Sequence, residues 1–232
     1  MGGLTVACMT SYCTSGREEV RWGNAEYWAA AFKKAIKGDR VGGTQSVYVV
    51  NGWRDLSEQS KAVASDWFAE MACHFLATTR FGPAQAGPFV FIPFPGSKIA
   101  VGMSHPPFSP YTLASKLSAH LAQQGQASYV SDVLRWTEPR PSTREGGSRD
   151  PEFLYPYLTV TGPVPQGRVI LVDDVCTGGG HLRAAVTLLK EHRVHVEHAL
   201  CAVKAESMPQ QSYFQPTVHT YPDFVPGDGF LF

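Results

Sequence analysis

The sequence predicts an α/β fold: a mostly parallel sheet with helices on both faces, plus an N-terminal α/β extension. Three observations carry that expectation. Apolar runs of strand length recur at Phe89–Ile92, Val169–Val172 and His195–Val203. Stretches with apolar residues at helical spacing separate them, which is the pattern of βαβ units. The chain has 232 residues, enough for one such domain with additions.

Taken in order, residues through about Arg21 read as mixed and turn-prone. Trp28, Ala31, Phe32 and Ile36 predict a helix over 24–37, broken by the glycines of 38–44. Residues 45–51 read as a short strand. Val63, Trp67, Met71 and Phe75 recur every fourth residue and predict a long amphipathic helix over 57–79, with that stripe facing the core. The strand Phe89–Ile92 runs into Pro93-Phe-Pro-Gly-Ser-Lys98. Leu113, Leu117 and Leu121 then mark a helix over 110–124, and residues 128–134 read as a strand. Residues 136–151 are rich in Pro, Gly, Arg and Glu with no apolar period, the composition of a mobile loop whose length favours a functional lid. Residues 158–161 form a short strand ahead of the apolar run at Val169. Leu182, Ala185, Val186, Leu188 and Leu189 give the following helix, and residues 195–203 the next strand. The aromatic tail, 213–232, packs on the body. The expected division is an extension over 1–85 packed on the core and a sheet-bearing domain over 86–232, with the tail available as a hood.

Composition narrows the function classes. Twenty basic and twenty acidic side chains give a formal net charge of zero, which argues against a nucleic-acid partner. No apolar run has membrane-spanning length and no signal segment opens the chain, so a soluble, cytoplasmic protein is expected. Cysteines at positions 8, 13, 73, 176 and 201 form no C-x-x-C pair. Their spacing predicts neither a structural zinc site nor a disulfide framework. Cys176 lies within the turn described next, and a packing role is favoured for it over reactivity.

The most informative stretch is Arg168-Val-Ile-Leu-Val-Asp-Asp-Val-Cys-Thr-Gly-Gly-Gly-His-Leu-Arg183. A buried strand ends in Asp173 and Asp174, and a small-residue turn, Thr177 to Gly180, opens a helix. In open α/β sheets that carboxyl edge is where ligands bind. Free N–H groups of the turn and the helix N-terminus suit a phosphate. Ionised carboxylates only accept hydrogen bonds, which suits sugar hydroxyls or a phosphate-bound metal ion. Rival readings fit less well. Arg183 stands where a G-x-G-x-x-G fingerprint needs its third glycine, and the chain has no G-x-x-x-x-G-K-[ST] to accompany a Walker B acid. An ordinary βα turn remains the plain alternative.

This stretch resembles the phosphoribosyl-pyrophosphate (PRPP) loop of the type I phosphoribosyltransferases. The resemblance implies that Asp173 and Asp174 hold the ribose hydroxyls. It implies that Thr177, Gly178, Gly179 and Gly180, with His181, hold the 5′-phosphate. His181 stands where the family has Thr or Ser; an imidazole also donates to phosphate, with charge when protonated. The loop Pro93–Lys98 resembles the family's pyrophosphate loop, with Gly96, Ser97 and Lys98 as its binding residues, and its prolines admit an unusual peptide geometry. The arginines of the lid (Arg135, Arg140, Arg144 and Arg149) would close over PRPP and neutralise the departing pyrophosphate. Pro93 and Pro95, the helix Leu113–Leu121, and Arg135, Thr137 and Arg149 are similar to the ComF-like branch. That branch's cysteine-rich N-terminus and its Arg-Gly-Phe-Asn segment do not occur here. The resemblance covers about the last 145 residues, and its most specific part is 169–183.

The implied activity is transfer of the 5-phosphoribosyl group of PRPP to a nitrogen acceptor, a nucleobase by preference, with release of pyrophosphate. The implied cofactor is Mg2+, carried mainly by the substrate with Asp173 and Asp174 as its protein ligands. PRPP and a small-molecule acceptor are the implied partners, and a homodimer the implied assembly. No general base is assigned among His105, His181, His192, His195, His198 and His219. The alternative is a catalytically inactive PRPP- or nucleotide-sensing protein, motivated by His181 and the N-terminal region. A third reading is an interaction module built on Trp22, Trp28, Trp53 and Trp67, which the balanced charge disfavours.

Overall fold

In the computed structural model of the chain, residues 3–16, 18–79, 81, 87–104, 107–142 and 145–227 are described. A six-stranded sheet forms its centre, in the order β10-β1-β9-β8-β4-β5. The strands are β1 (Gly3–Cys13), β4 (Phe89–Pro93), β5 (Ser128–Val130), β8 (Arg168–Cys176), β9 (His198–Glu206) and β10 (Thr217–Pro222). All neighbours run parallel except the edge strand β10, which is antiparallel to β1. Two small hairpins flank the sheet: β2 (Gln45–Val49) with β3 (Gly52–Leu56), and β6 (Leu134–Trp136) with β7 (Leu158–Val160).

Helices cover both faces. On one lie α1 (Asn24–Ile36), α2 (Ala64–Thr78) and α3 (Ser109–Gln123), whose Phe32, Phe68 and Leu117 share a core with Phe91, Ile170 and Leu200. On the other, α4 (Pro151–Leu154) and α5 (Gly180–Glu191) pack Leu154, Leu182 and Leu189 against Val90, Leu171 and Ala199. Helices α1, α2, α3 and α5 carry stripes the helical spacing predicts, except that Val63, expected at the head of the α2 stripe, is exposed ahead of the helix, and α4 is not foreseen.

The largest departure is β1. A stretch that reads as mixed and turn-prone is an eleven-residue strand inside the sheet, between β9 and β10. Its polar residues disguise it. Thr10 is fully buried, and its hydroxyl donates to the carbonyl of Ala202 at 2.9 Å, so the polar group is satisfied by the neighbouring strand. The first 85 residues thus contribute a central strand to the same sheet as β4, β8 and β9.

Smaller departures have local causes. Helix α2 starts at Ala64, not at 57, because the Ser60 hydroxyl accepts from the Ser57 N–H at 2.9 Å and a 3-10 turn (Lys61–Val63) follows. The predicted strand over 128–134 divides: the Ser131 N–H donates to Phe91 at 2.8 Å, after which β6 leaves the sheet to pair with β7. The tail adds β10, an edge strand of alternating exposure. No described helix is long and apolar enough to cross a membrane.

Topology places the site. From β4 the chain crosses through α3 to β5 on one side; from β8 it crosses through α5 to β9 on the other. The order of winding therefore reverses between β4 and β8, and the carboxyl ends of these two neighbours flank a crevice.

Candidate functional site

β8 is central, with β4 and β9 beside it, so Val169 to Val172 are buried and the strand carries its charges at its end. Asp173 is 5 % exposed. A carboxylate there must be paired. Its Oδ1 accepts the Asp174 N–H at 2.8 Å, and its Oδ2 pairs with Nε2 of His181. Asp174 pairs with Nζ of Lys37 at 3.5 Å. Burial and the neighbouring Asp173 charge raise the Asp174 pKa above the ordinary carboxyl value, with Lys37 opposing them. For His181, burial works against protonation, but the Asp173 carboxylate, with Cys176 and Asp174 adding to it, leaves the pKa raised.

The turn after β8 needs two of its three glycines, Gly179 and Gly180. Gly179 has φ +71°, in the left-handed region, and caps the start of α5. A Cβ on Gly180 would fall 1.9 Å from the carbonyl oxygen of Arg149, so residue 180 must be glycine for that segment to pack over the helix start. The N–H groups of Gly180, His181 and Leu182 lie in the first turn of α5, where no helical carbonyl can reach them. The carbonyl of Thr177 accepts from Lys204 Nζ at 2.8 Å and from the Tyr221 hydroxyl at 3.3 Å, which anchors the turn from beneath.

A cavity of about 300 Å³ opens at the crevice between β4 and β8. Asp173, Asp174, Thr177 and His181 line it from the β8 side, and Gly96 and Ser97 from the β4 side. Gly178, Gly179 and Gly180 do not line it, and the Arg149 carbonyl lies over Gly180. Gly96 turns its carbonyl inward, accepting from the Trp136 indole at 3.1 Å and the Ile99 N–H at 2.9 Å. Described peptide bonds are all trans, those of Pro93 and Pro95 included. Lys98 stands outside the cavity, 65 % exposed, 3.6 Å from Glu145.

The lid arginines separate into distinct roles. Arg135 forks onto both oxygens of Asp132, at 2.6 and 2.8 Å, and does not reach the cavity. Arg140 lines it, its guanidinium 3.7 Å from the Tyr157 ring centre and its backbone N–H donating to the Ser97 carbonyl at 2.7 Å. Arg149 lines it as well. Arg144 and His105 lie outside the described residues. The segment bearing Arg140 is thus already bonded to the β4 loop.

Several lining residues were not legible as functional. Tyr12, next to the end of β1, Lys33 on α1 and Lys37 just past its last residue line the same cavity. Their only signal was the i,i+4 spacing of the two lysines, which places them on one helix face. Phe94 sets its ring edge-on to His181 at 4.8 Å and to Trp136 at 5.6 Å, forming an apolar wall. A second cavity, about 640 Å³, adjoins through Tyr12, Lys33 and Arg149, with Trp22 and Tyr27 on its far side.

Charge sorts the chemistry available. Lys33, Lys37, Arg140 and Arg149 outnumber Asp173 and Asp174 at the cavity wall. Two carboxylates at the floor accept hydroxyl hydrogen bonds, and the surrounding cations attract anionic groups. A hard divalent cation takes oxygen ligands, and here the donor set is these two carboxylates, each already engaged. They fit an ion whose remaining ligands come with a phosphorylated ligand. No protein-family model matches the chain, and no curated protein is similar to it.

Proposed function

We propose that the chain is a Mg2+-dependent type I phosphoribosyltransferase, moving the 5-phosphoribosyl group of PRPP to a nitrogen acceptor. One observation carries this reading: paired carboxylates share a cation-rimmed cavity with Thr177 and His181, the residues that flank the glycine turn, at the point where the sheet's winding reverses. Sugar hydroxyls and phosphates on one ligand match that arrangement better than either alone.

In this reading Asp173 and Asp174 accept from the ribose hydroxyls and favour positive charge growing at C1. The acceptor nitrogen bonds to C1 as the C1–oxygen bond breaks, and the electron pair leaves with pyrophosphate. Arg140 and Arg149 receive that charge, with Lys98 joining only on closure. The 5′-phosphate meets the N–H groups at the start of α5 once the Arg149 segment moves aside. Asp173 and Asp174 would hold Mg2+, which when bound neutralises part of the pyrophosphate charge. The acceptor enters from the adjoining cavity, where Tyr12, Trp22 and Tyr27 offer ring faces and edges to a planar base. Rate enhancement comes from positioning and electrostatics, with no covalent protein nucleophile.

A second reading has its own support. Both carboxylates are held by protein cations, and the phosphate turn is covered by Arg149. A sensor that binds PRPP or a nucleotide without turnover would have these features. Calorimetric titration with PRPP, with and without Mg2+, followed by pyrophosphate detection across a panel of nitrogen acceptors, decides among them. Mg2+-dependent saturation with pyrophosphate release supports the enzyme. Saturation without release in any mixture favours the sensor. No saturation at millimolar PRPP, with or without acceptor, overturns both.

A further inference from the structure

Three of the five cysteines, far apart in sequence, meet under the β8 turn. Cys8 on β1 lies directly opposite Cys201 on β9, and Cys176 ends β8 on the other side of β9. All three are fully buried, and their sulfurs lie within 4.8 Å of one another. We propose that Cys8, Cys176 and Cys201 form a buried three-thiolate site for a divalent thiophilic cation of the zinc class. The proposal is independent of the phosphoribosyl reading.

Geometry, donor type and charge agree on it. A cation held by three sulfurs at about 2.3 Å needs them about 4 Å apart, so small side-chain adjustments close the site without moving a strand. Soft sulfur donors select zinc-like over calcium- or magnesium-like ions. Three thiolates on a divalent ion leave one net negative charge, whereas a monovalent ion would leave two. Lys204, 9 % exposed, stands close by, anchored to the Thr177 carbonyl next to Cys176, while His181, also near Cys176, is already paired with Asp173. That single ammonium matches the divalent case. The Tyr221 hydroxyl donates to the Thr177 carbonyl, which leaves its oxygen, 3.3 Å from Cys176 Sγ, placed to complete a fourth position.

Binding replaces three S–H bonds with three metal–sulfur bonds, and the protons leave to solvent; no electron is transferred. β1 is flanked by the edge strand β10, so opening of that edge gives the ion its route in. Once bound, it ties β1 to the end of β8, two residues beyond Asp174. Tertiary pairing thus assembles a zinc-type donor set that the cysteine spacing does not predict.

The test uses the reduced full-length chain, equilibrated with Zn2+ or with Cd2+ as a spectroscopic probe and then dialysed. Retention of about one ion per chain is expected, together with ultraviolet cadmium–thiolate absorption of three-sulfur intensity and a raised melting temperature. Cys201→Ala should abolish retention, while Cys13→Ala and Cys73→Ala should keep it. No retained ion, absorption of single-thiolate intensity, or undiminished retention in a folded Cys201→Ala chain would each overturn the proposal. The absorption of the unaltered chain counts sulfurs directly, so the outcome is decided even where a variant fails to fold.

Discussion

The two loops that face each other across the crevice differ in how their charges are held. At the end of β8, Asp173 and Asp174 are fixed by His181 and Lys37, under a turn anchored by Lys204 and Tyr221. At the end of β4 the one charged group, Lys98, is mostly solvent-exposed and pairs with another exposed side chain, Glu145. The contrast follows from strand position. Both strands lie between parallel neighbours, but Asp173 and Asp174 belong to β8 itself, where charges must be paired or leave, whereas Lys98 stands in the loop beyond the end of β4. It teaches that the β8 side holds its charges in internal pairs, while the β4 side keeps its charge at the surface.

The largest effect is expected from the internally paired side. Replacing both Asp173 and Asp174 with Asn should weaken PRPP binding about a hundredfold or more, since charge-assisted hydrogen bonds contribute about 1.5–3 kcal/mol each. Unchanged calorimetric affinity would sink the site assignment. Asp174→Asn alone carries a second signature. Because the folded state raises the Asp174 pKa, ionisation there costs stability at neutral pH, so this variant should melt higher while binding more weakly.

Arg140→Ala tests the other side at its one cavity-facing, bonded arginine. A drop of about tenfold in turnover with little change in melting temperature is expected, the size of one charge-assisted contact. Lys98→Ala should change PRPP affinity by less than about threefold, as expected of an exposed ion-pairing lysine. If Lys98→Ala proved the more damaging of the two, the β4 loop would hold its charge as firmly as the β8 side, and the contrast would fail.

His181→Thr gives the smallest effect and the clearest sign. A raised folded pKa means the protonated imidazole stabilises the fold fully below its unfolded value, about pH 6.5. That contribution fades as pH climbs through the higher folded value. Melting temperature should therefore fall with rising pH more steeply in the unaltered chain than in His181→Thr. Parallel pH profiles would show that the pair with Asp173 carries no ionic stabilisation.

How far the sequence could be read depended on how local each signal was. β8, its acids, its glycine turn and α5 occupy one continuous stretch, and their strand-to-helix order survives in the structure. The helices α1, α2 and α3 were legible because each writes its buried stripe at helical spacing. β1 was not, since Thr5, Thr10 and Ser11 look like loop residues until β9 supplies their partners. The division of labour among the lid arginines was equally hidden: Arg135 and Arg140 are alike in sequence, and only the Asp132 carboxylate distinguishes them.

What the order of residues established without help is therefore a βα turn with two acids at its lip, because backbone geometry and hydrophobic period act over a few residues. Folding in three dimensions settled the rest. It inserted β1 beside β9, across 192 residues of chain, and thereby brought Tyr12 to the cavity and Cys8 to Cys176 and Cys201. It also swung Lys37 onto Asp174. Pairing between distant strands is chosen by which edges can satisfy their hydrogen bonds and bury their faces together, and no local pattern encodes that choice.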